Sequence, residues 1–248
     1  MATAPIKRPK TATEPPKTTI SRFFLSTKRS DLTIACEDQT FPAHRCVVCP
    51  QSSYFARACN GHFKESHGTI EIQDLKPILV EKTLQFLYTG DYTTKSDLPS
   101  NSPTEKFGRT STLSSPVSQS FPVHLVTQAD DLCTARFHVR MYAQGSYFQV
   151  DALKAKAKEH FAKAFLENVD RGVFAAIVEE VYTSTVSSDR GLRDIVVEKI
   201  MKFLPLLMVA PSPLVDGFVL GLVPEFAVDL CLASLARNVE MEQKGEGK

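Results

Sequence analysis

Much that would mark a catalyst, an exported protein or a membrane protein is missing from this chain. Gly-x-Gly-x-x-Gly, Gly-x-x-x-x-Gly-Lys-Ser/Thr, Gly-x-Ser-x-Gly and His-Glu-x-x-His are all absent from its 248 residues, so the standard cofactor and nucleophile signatures are lacking and a non-enzymatic chain without a cofactor is expected. Six cysteines are too few for a disulfide scaffold at this length. Residues 1–20 are polar and proline-dotted, without the apolar stretch of a signal peptide, and no Asn-x-Ser/Thr occurs, so a reducing compartment, cytoplasmic or nuclear, is expected. Excess charge of one sign is missing too. Lys plus Arg number 29 against 28 for Asp plus Glu, and a net charge of +1 supplies no global field for a polyanion, so no nucleic-acid partner is expected. The most apolar tract, 203–222, is interrupted by Pro205, Pro211, Pro213 and Asp216, whereas a span needs about 20 uninterrupted apolar residues; it reads as buried helices, and no membrane partner is expected.

What is present is the composition of a folded chain, 43% hydrophobic and 23% charged. Residues 1–18 carry Pro5, Pro9, Pro15 and Pro16 among Lys7, Arg8, Lys10 and Lys17, and are expected to be a disordered basic tail, solvated rather than a nuclear import signal. A short helix is expected over 19–25. Leu32, Ile34 and Cys36 then alternate, Glu37-Asp38 supply a turn, and Phe41 and Ala43 alternate again, which predicts a hairpin with one buried face. Arg45 to Cys49 and Ser52 to Asn60 predict two short helices separated by Pro50, with Ser52 capping the second. Ile70 and Ile72 predict a third strand. Pro77 and Gly90 bracket a helix whose Val80, Leu84, Leu87 and Tyr88 share a face, giving the order β-β-α-α-β-α.

Between Ser96 and Pro122 eleven of 27 residues are Ser or Thr and four are Pro, with no hydrophobic period, so a disordered insertion is expected there. Ser102-Pro103 and Ser115-Pro116 within it are candidate sites for proline-directed phosphorylation. Helices are predicted from Ala135 to Gln144 and from Val150 to Glu167, the second with Leu153, Ala157, Phe161, Ala164 and Phe165 inward and Lys154, Lys158, Glu159 and Lys163 outward. Beyond Asp170 the pattern is helical throughout: 173–182, 192–203, 214–222 and 224–237, the last with Phe226, Leu230, Ala233 and Leu235 expected on its buried face. The polar residues 239–248 are expected to be a disordered tail.

His44, Cys46, Cys49, Cys59, His62 and His67 are dense in soft ligands, but a lone Cys-x-x-Cys lacks the second spaced pair of a zinc finger or ribbon. Cysteine is a common small core residue, so packing is expected of these thiols and no metal is expected.

Asp31-Leu32-Thr33-Ile34, Phe41 to Cys49, Ser52-Ser53-Tyr54-Phe55, Phe63-Lys64-Glu65-Ser66, Ile70-Glu71-Ile72 and Phe86 to Tyr92 together closely resemble the BTB (POZ) domain. Val139 to Phe161 is similar to the closing helices of that domain in fungal BTB proteins. The resemblance implies an α/β chain of the α+β type: a small three-stranded sheet flanked by helices over 19–168, with the 96–122 insertion inside it. An all-helical C-terminal region over 169–238 follows. It implies a homodimer and an adaptor for a client protein. Asp31, His44 and Arg45 match the residues that line a charged pocket near the family's dimer interface. Phe63 and Glu65 match a hydrophobic-x-Glu motif that contacts cullin scaffolds of ubiquitin ligases. A transcription-related or structural scaffold without ubiquitin chemistry is the alternative. Kelch repeats, a MATH domain and zinc fingers are missing from the sequence.

Overall fold

The computed structural model describes residues 20–60, 68–95, 134–167, 170–209 and 213–245. They fall into two compact units, one ending at Tyr92 and the other beginning at Thr93. In the first, β1 (Leu32–Cys36), β2 (Gln39–Ala43), α1 (Arg45–Val48), α2 (Ser53–Asn60), β3 (Thr69–Ile72) and α3 (Pro77–Thr89) follow in the order that the sequence predicts. Ile20 and Ser21 begin a helical turn, and backbone bonds from Phe23 to Ile20 and from Phe24 to Ser21 tighten it, so the helix expected over 19–25 is shorter.

The sheet order is β2-β1-β3. β1 and β2 form an antiparallel hairpin in which Cys36 faces Gln39 across Glu37-Asp38, and Glu37 takes the left-handed conformation (φ 49°) that so tight a turn demands. β3 lies parallel to β1, Ile34 facing Ile70, and the chain between them supplies the long crossover that parallel pairing requires. Leu32, Ile34, Cys36, Phe41, Ala43, Ile70 and Ile72 are all buried, so alternation alone places one face of three strands inward. Ser52 Oγ accepts the Phe55 N–H at 3.2 Å, the expected cap of α2. Pro77 opens α3, and Gly90 at φ 78° closes it by donating its N–H to Phe86 O at 2.7 Å. Burial of α3 runs nearly all round and includes Glu81 and Lys82, which pair at 3.0 Å.

The second unit is helical in its described residues: α4 (Thr134–Tyr147), α5 (Asp151–Ala164), α6 (Arg171–Ser184), α7 (Arg190–Val209), α8 (Gly217–Leu222) and α9 (Pro224–Gly245). α4 and α5 form a hairpin that closes at Gly145, where a Cβ would stand 2.8 Å from Lys154 N. Leu153, Ala157, Phe161, Ala164 and Phe165 face inward as predicted. Asp170 and Asp216 cap α6 and α8, accepting N–H bonds from Val173, and from Phe218 and Val219.

Four expectations are corrected here. α7 does not stop before Pro205 but runs through it to Val209. A helical proline withholds an N–H from the carbonyl four residues back, and that carbonyl, Met201 O, instead accepts a bond from Arg237 Nη1 at 3.1 Å. Leu206, Met208 and Phe218 are exposed, so the tract 203–222 is helical but only partly buried. α9 continues past Arg237 to Gly245, because Glu240, Met241, Glu242, Gln243 and Lys244 are good helix formers with no breaker among them; only 246–248 of the expected 239–248 tail lie outside the described residues. Leu235 is 56% exposed rather than buried.

Among the described residues no helix is long and apolar enough to cross a membrane. The basic tail, the 96–122 insertion and Ser102 and Ser115 lie outside the described residues.

Candidate protein-interaction site

Asp31, His44 and Arg45 converge where the hairpin hands over to α1. β2 ends at Ala43, so His44 becomes the N-cap residue of α1, but its side chain makes no capping bond. The ring turns inward instead and is 6% exposed. Asp31, one residue before β1, takes over the cap: its Oδ1 accepts the Arg45 N–H at 2.8 Å. The structure thus brings Asp31 to Arg45 through the backbone of α1.

The His44 ring is fixed on both sides. Tyr88 on α3 accepts the His44 backbone N–H at 2.8 Å and lies 2.8 Å from Nδ1, while Nε2 lies 3.0 Å from Lys28 O. A carbonyl only accepts, so Nε2 carries a proton; in the neutral ring Nδ1 then accepts the Tyr88 O–H, and every polar atom of the pair is satisfied. Burial pushes the Tyr88 phenol up to about 12, against the opposing pull of the bond from the His44 backbone. The segment before β1 packs on this pair: Phe23 meets the His44 ring edge-on at 5.5 Å, and Phe24 meets Tyr88 at 6.1 Å. Phe23 and Phe24 stay half-buried. Beside them, Arg22, Phe23, Ser26, Lys28 and Arg29 line a cavity of about 310 Å³. Its three cations suit a carboxylate or another anionic group.

The thiols separate. Cys46 is exposed, a correction to the packing expected of it, because on a four-residue helix that points Val48 inward, a residue two positions away points outward. Cys49 is half-buried and donates to Phe55 O at 3.7 Å. Burial first, and then a hydrogen bond with the Cys59 thiol, push Cys49 up to about 12, so the Cys49 sulfur stands as a protonated packing group. Among the described residues no three His, Cys, Asp or Glu side chains gather where they could hold a metal ion. His62, His67, Phe63 and Glu65 lie outside the described residues.

Sequence reasoning missed Tyr88 and Lys28 as parts of this site. A hydroxyl in an otherwise apolar stripe was the available signal for Tyr88, since a buried phenol seeks a partner. Nothing in the sequence marks the carbonyl of Lys28.

Residues 20–103 match the family profile described as "BTB/POZ domain". "Kelch-like protein 30" of Mus musculus is 36% identical over 67 residues, covering 27% of this chain and 12% of that protein. "Kelch-like protein 24" of Homo sapiens is 39% identical over 62 residues, covering 25% of this chain and 10% of its own length. "Zinc finger and BTB domain-containing protein 14" of Homo sapiens is 34% identical over 67 residues, again 27% of this chain and 15% of that protein. The chain therefore spans roughly a tenth to a seventh of the length of these curated relatives. The matched residues end at 103, short of Val139 to Phe161, on which the likeness to fungal proteins rests. A three-stranded mixed sheet with α1 to α3, built on the ordered motifs from Asp31 to Tyr92, agrees with the profile: residues 20–103 are a BTB/POZ domain.

Proposed function

We propose that this chain is a non-enzymatic protein-interaction adaptor whose BTB/POZ domain pairs with a second copy and engages a cullin-type scaffold, while the C-terminal helices α6 to α9 or the 96–122 insertion hold a client protein in the cytoplasm or nucleus. The observation that carries this reading is the BTB/POZ match at residues 20–103, with similarity to proteins named Kelch-like. Half-exposed Phe23 and Phe24 over the His44–Tyr88 pair give the domain an apolar patch for its second copy, with Asp31 and Arg45 contributing charge beside it. Phe63 is the aromatic anchor of the cullin contact and Glu65 its orienting charge. By resemblance to the family, the domain is proposed to extend over 19–168, with α4 and α5 as its closing helices.

Calorimetry of the whole chain against a purified cullin tests the scaffold contact. Binding is expected, weakened by about 2 kcal/mol or more in Phe63→Ala with the melting temperature unchanged. Glu65→Lys is expected to slow association and alter its salt dependence. Absence of binding by wild type removes the cullin contact and leaves the transcription-related or structural scaffold.

A further inference from the structure

α9 carries two apolar stripes. Phe226, Leu230 and Ala233 form the inner one; Phe226 and Leu230 are buried, and Arg237 continues the row by bonding to Met201 O of α7. Val228, Leu232, Leu235 and Val239 repeat the same 4-3-4 spacing two residues later, which turns them about 200° around the helix. They are 57%, 60%, 56% and 52% exposed. A core-facing helix needs one stripe, and a second with a 3.5-residue repeat is the seam of a coiled coil.

We propose that this outer face of α9 is a self-association surface, on which a second copy of the chain docks its own α9 antiparallel. The sequence of the stripe, Val-Leu-Leu-Val at spacing 4-3-4, reads the same in both directions. A two-fold axis between Leu232 and Leu235 therefore sets Leu232 against the partner's Leu235 and Val228 against the partner's Val239, the self-complementarity an isologous pair requires. Charge agrees. The flanking positions Cys231, Ala236 and Asn238 are neutral, and Asp229 is already held by Arg190 Nη1 and the Tyr182 hydroxyl. The next seam positions outward are Glu225 and Glu242. A parallel pair sets Glu242 on its own copy, which like-charge repulsion disfavours, whereas the antiparallel pair sets it against the partner's Glu225, whose charge Arg193 already answers. Antiparallel helices also oppose their dipoles.

The size of the stripe sets the strength. Four side chains each more than half exposed offer about 100 Å² apiece, so a pair buries about 800 Å², below the roughly 1,200 Å² of stable interfaces. Association in the range of about 10–100 μM is expected.

Sedimentation velocity of the whole chain from about 1 to about 300 μM tests this. Wild type is expected to show a concentration-dependent step that Leu232→Glu shifts at least about tenfold, with an unchanged circular dichroism spectrum. Val186→Glu, an equally exposed apolar site away from α9, is expected to leave the step in place. Superposition of wild type and Leu232→Glu across the range overturns the proposal. Orientation is read by diamide oxidation of Val228→Cys and Val239→Cys chains, each also carrying Cys46→Ser and Cys231→Ser, with the linkage identified by peptide mass. A 228–239 cross-link in the mixture supports the antiparallel pair; a 228–228 cross-link, or none at either position, overturns it.

Discussion

In the unit that ends at Tyr92, inward polar groups largely answer one another without net charge. His44 meets Tyr88 and the Lys28 carbonyl, Ser52 caps α2, and the Cys36 thiol donates to Leu75 O at 3.1 Å. Among the described residues of this unit, Glu81 and Lys82 are the buried charged exception. In the helical unit the same task falls to ions. Arg136 and Arg140 grip the two oxygens of Glu180 at 2.5 and 2.6 Å, Lys154 holds Asp189 at 2.8 Å, and Arg190 holds Asp229 at 2.8 Å. Arg193, only 3% exposed, donates to the carbonyls of Tyr182 and Thr185 and to the Thr185 hydroxyl, pairs with Glu225, and stacks 4.5 Å over the Tyr182 ring. A sheet pairs its own backbone and leaves few polar ends to satisfy. A helix leaves carbonyls without partners at its C-terminal end, and the Arg193 guanidinium reaches those of Tyr182 and Thr185 at the end of α6.

The sharpest way to break that contrast is to remove Arg193. Arg193→Met keeps most of the volume but strips donors from two carbonyls, and should destabilise the helical unit by about 3 kcal/mol in urea unfolding; a loss under about 1 kcal/mol would mean that the carbonyls find other donors.

Tyr88→Phe is the matching cut in the BTB/POZ domain, leaving the His44 N–H and Nδ1 without the phenol, at an expected cost of about 1–2 kcal/mol. It also changes the alkaline limb. The folded phenol titrates at about 12, above its unfolded value near 10, so its contribution is complete below about pH 10 and is lost as pH rises toward 12. Stability measured across that window should fall less steeply in the variant.

Acid separates the units from the other side. Burial works to raise the Asp189 carboxyl, but bonds from Lys154, the Tyr142 hydroxyl and the Gly191 N–H outweigh it and hold the group below the usual carboxylate range. Its contribution is present above about pH 4 and disappears as pH falls through the lower folded value. Asp189→Asn should cost about 1 kcal/mol at neutral pH, and the gap from wild type should close in acid; a gap independent of pH would assign the loss to geometry rather than charge.

The smallest expected effect tests the repair of α7. Arg237→Ala should cost about 0.5–1 kcal/mol by leaving Met201 O to water. In a Pro205→Ala background, where the helix regains the missing backbone N–H, the same change should cost less, and a double-mutant cycle reads the coupling directly.

These same residues show where the fold was legible. Leu32, Ile34 and Cys36 alternate over a two-residue turn, and Pro77 and Gly90 bracket α3, so local chemistry sufficed for β1 to β3 and for α1 to α3. Passage of α7 through Pro205 was illegible because the residue that satisfies Met201 lies on another helix. Leu235 was misplaced because two stripes of identical spacing run along α9, and periodicity alone does not say which one meets the core. At the site, the ordered motifs located Asp31, His44 and Arg45, but the cap that Asp31 gives to α1 and the contact between His44 and Tyr88 depend on tertiary approach. Phe63 and Glu65, outside the described residues, rest on resemblance.

The mixed pairing of β1 also sets a timetable. The β1–β2 hairpin closes over two residues and can form within microseconds, whereas β3 reaches β1 only after a loop of about 35 residues has been drawn in. Until then β1 presents an unpaired edge of backbone N–H and C=O groups from Leu32 to Cys36. During synthesis, that interval is when this domain is most exposed to strand exchange with a neighbouring nascent chain, and it ends only when Thr69 to Ile72 have left the ribosome and docked.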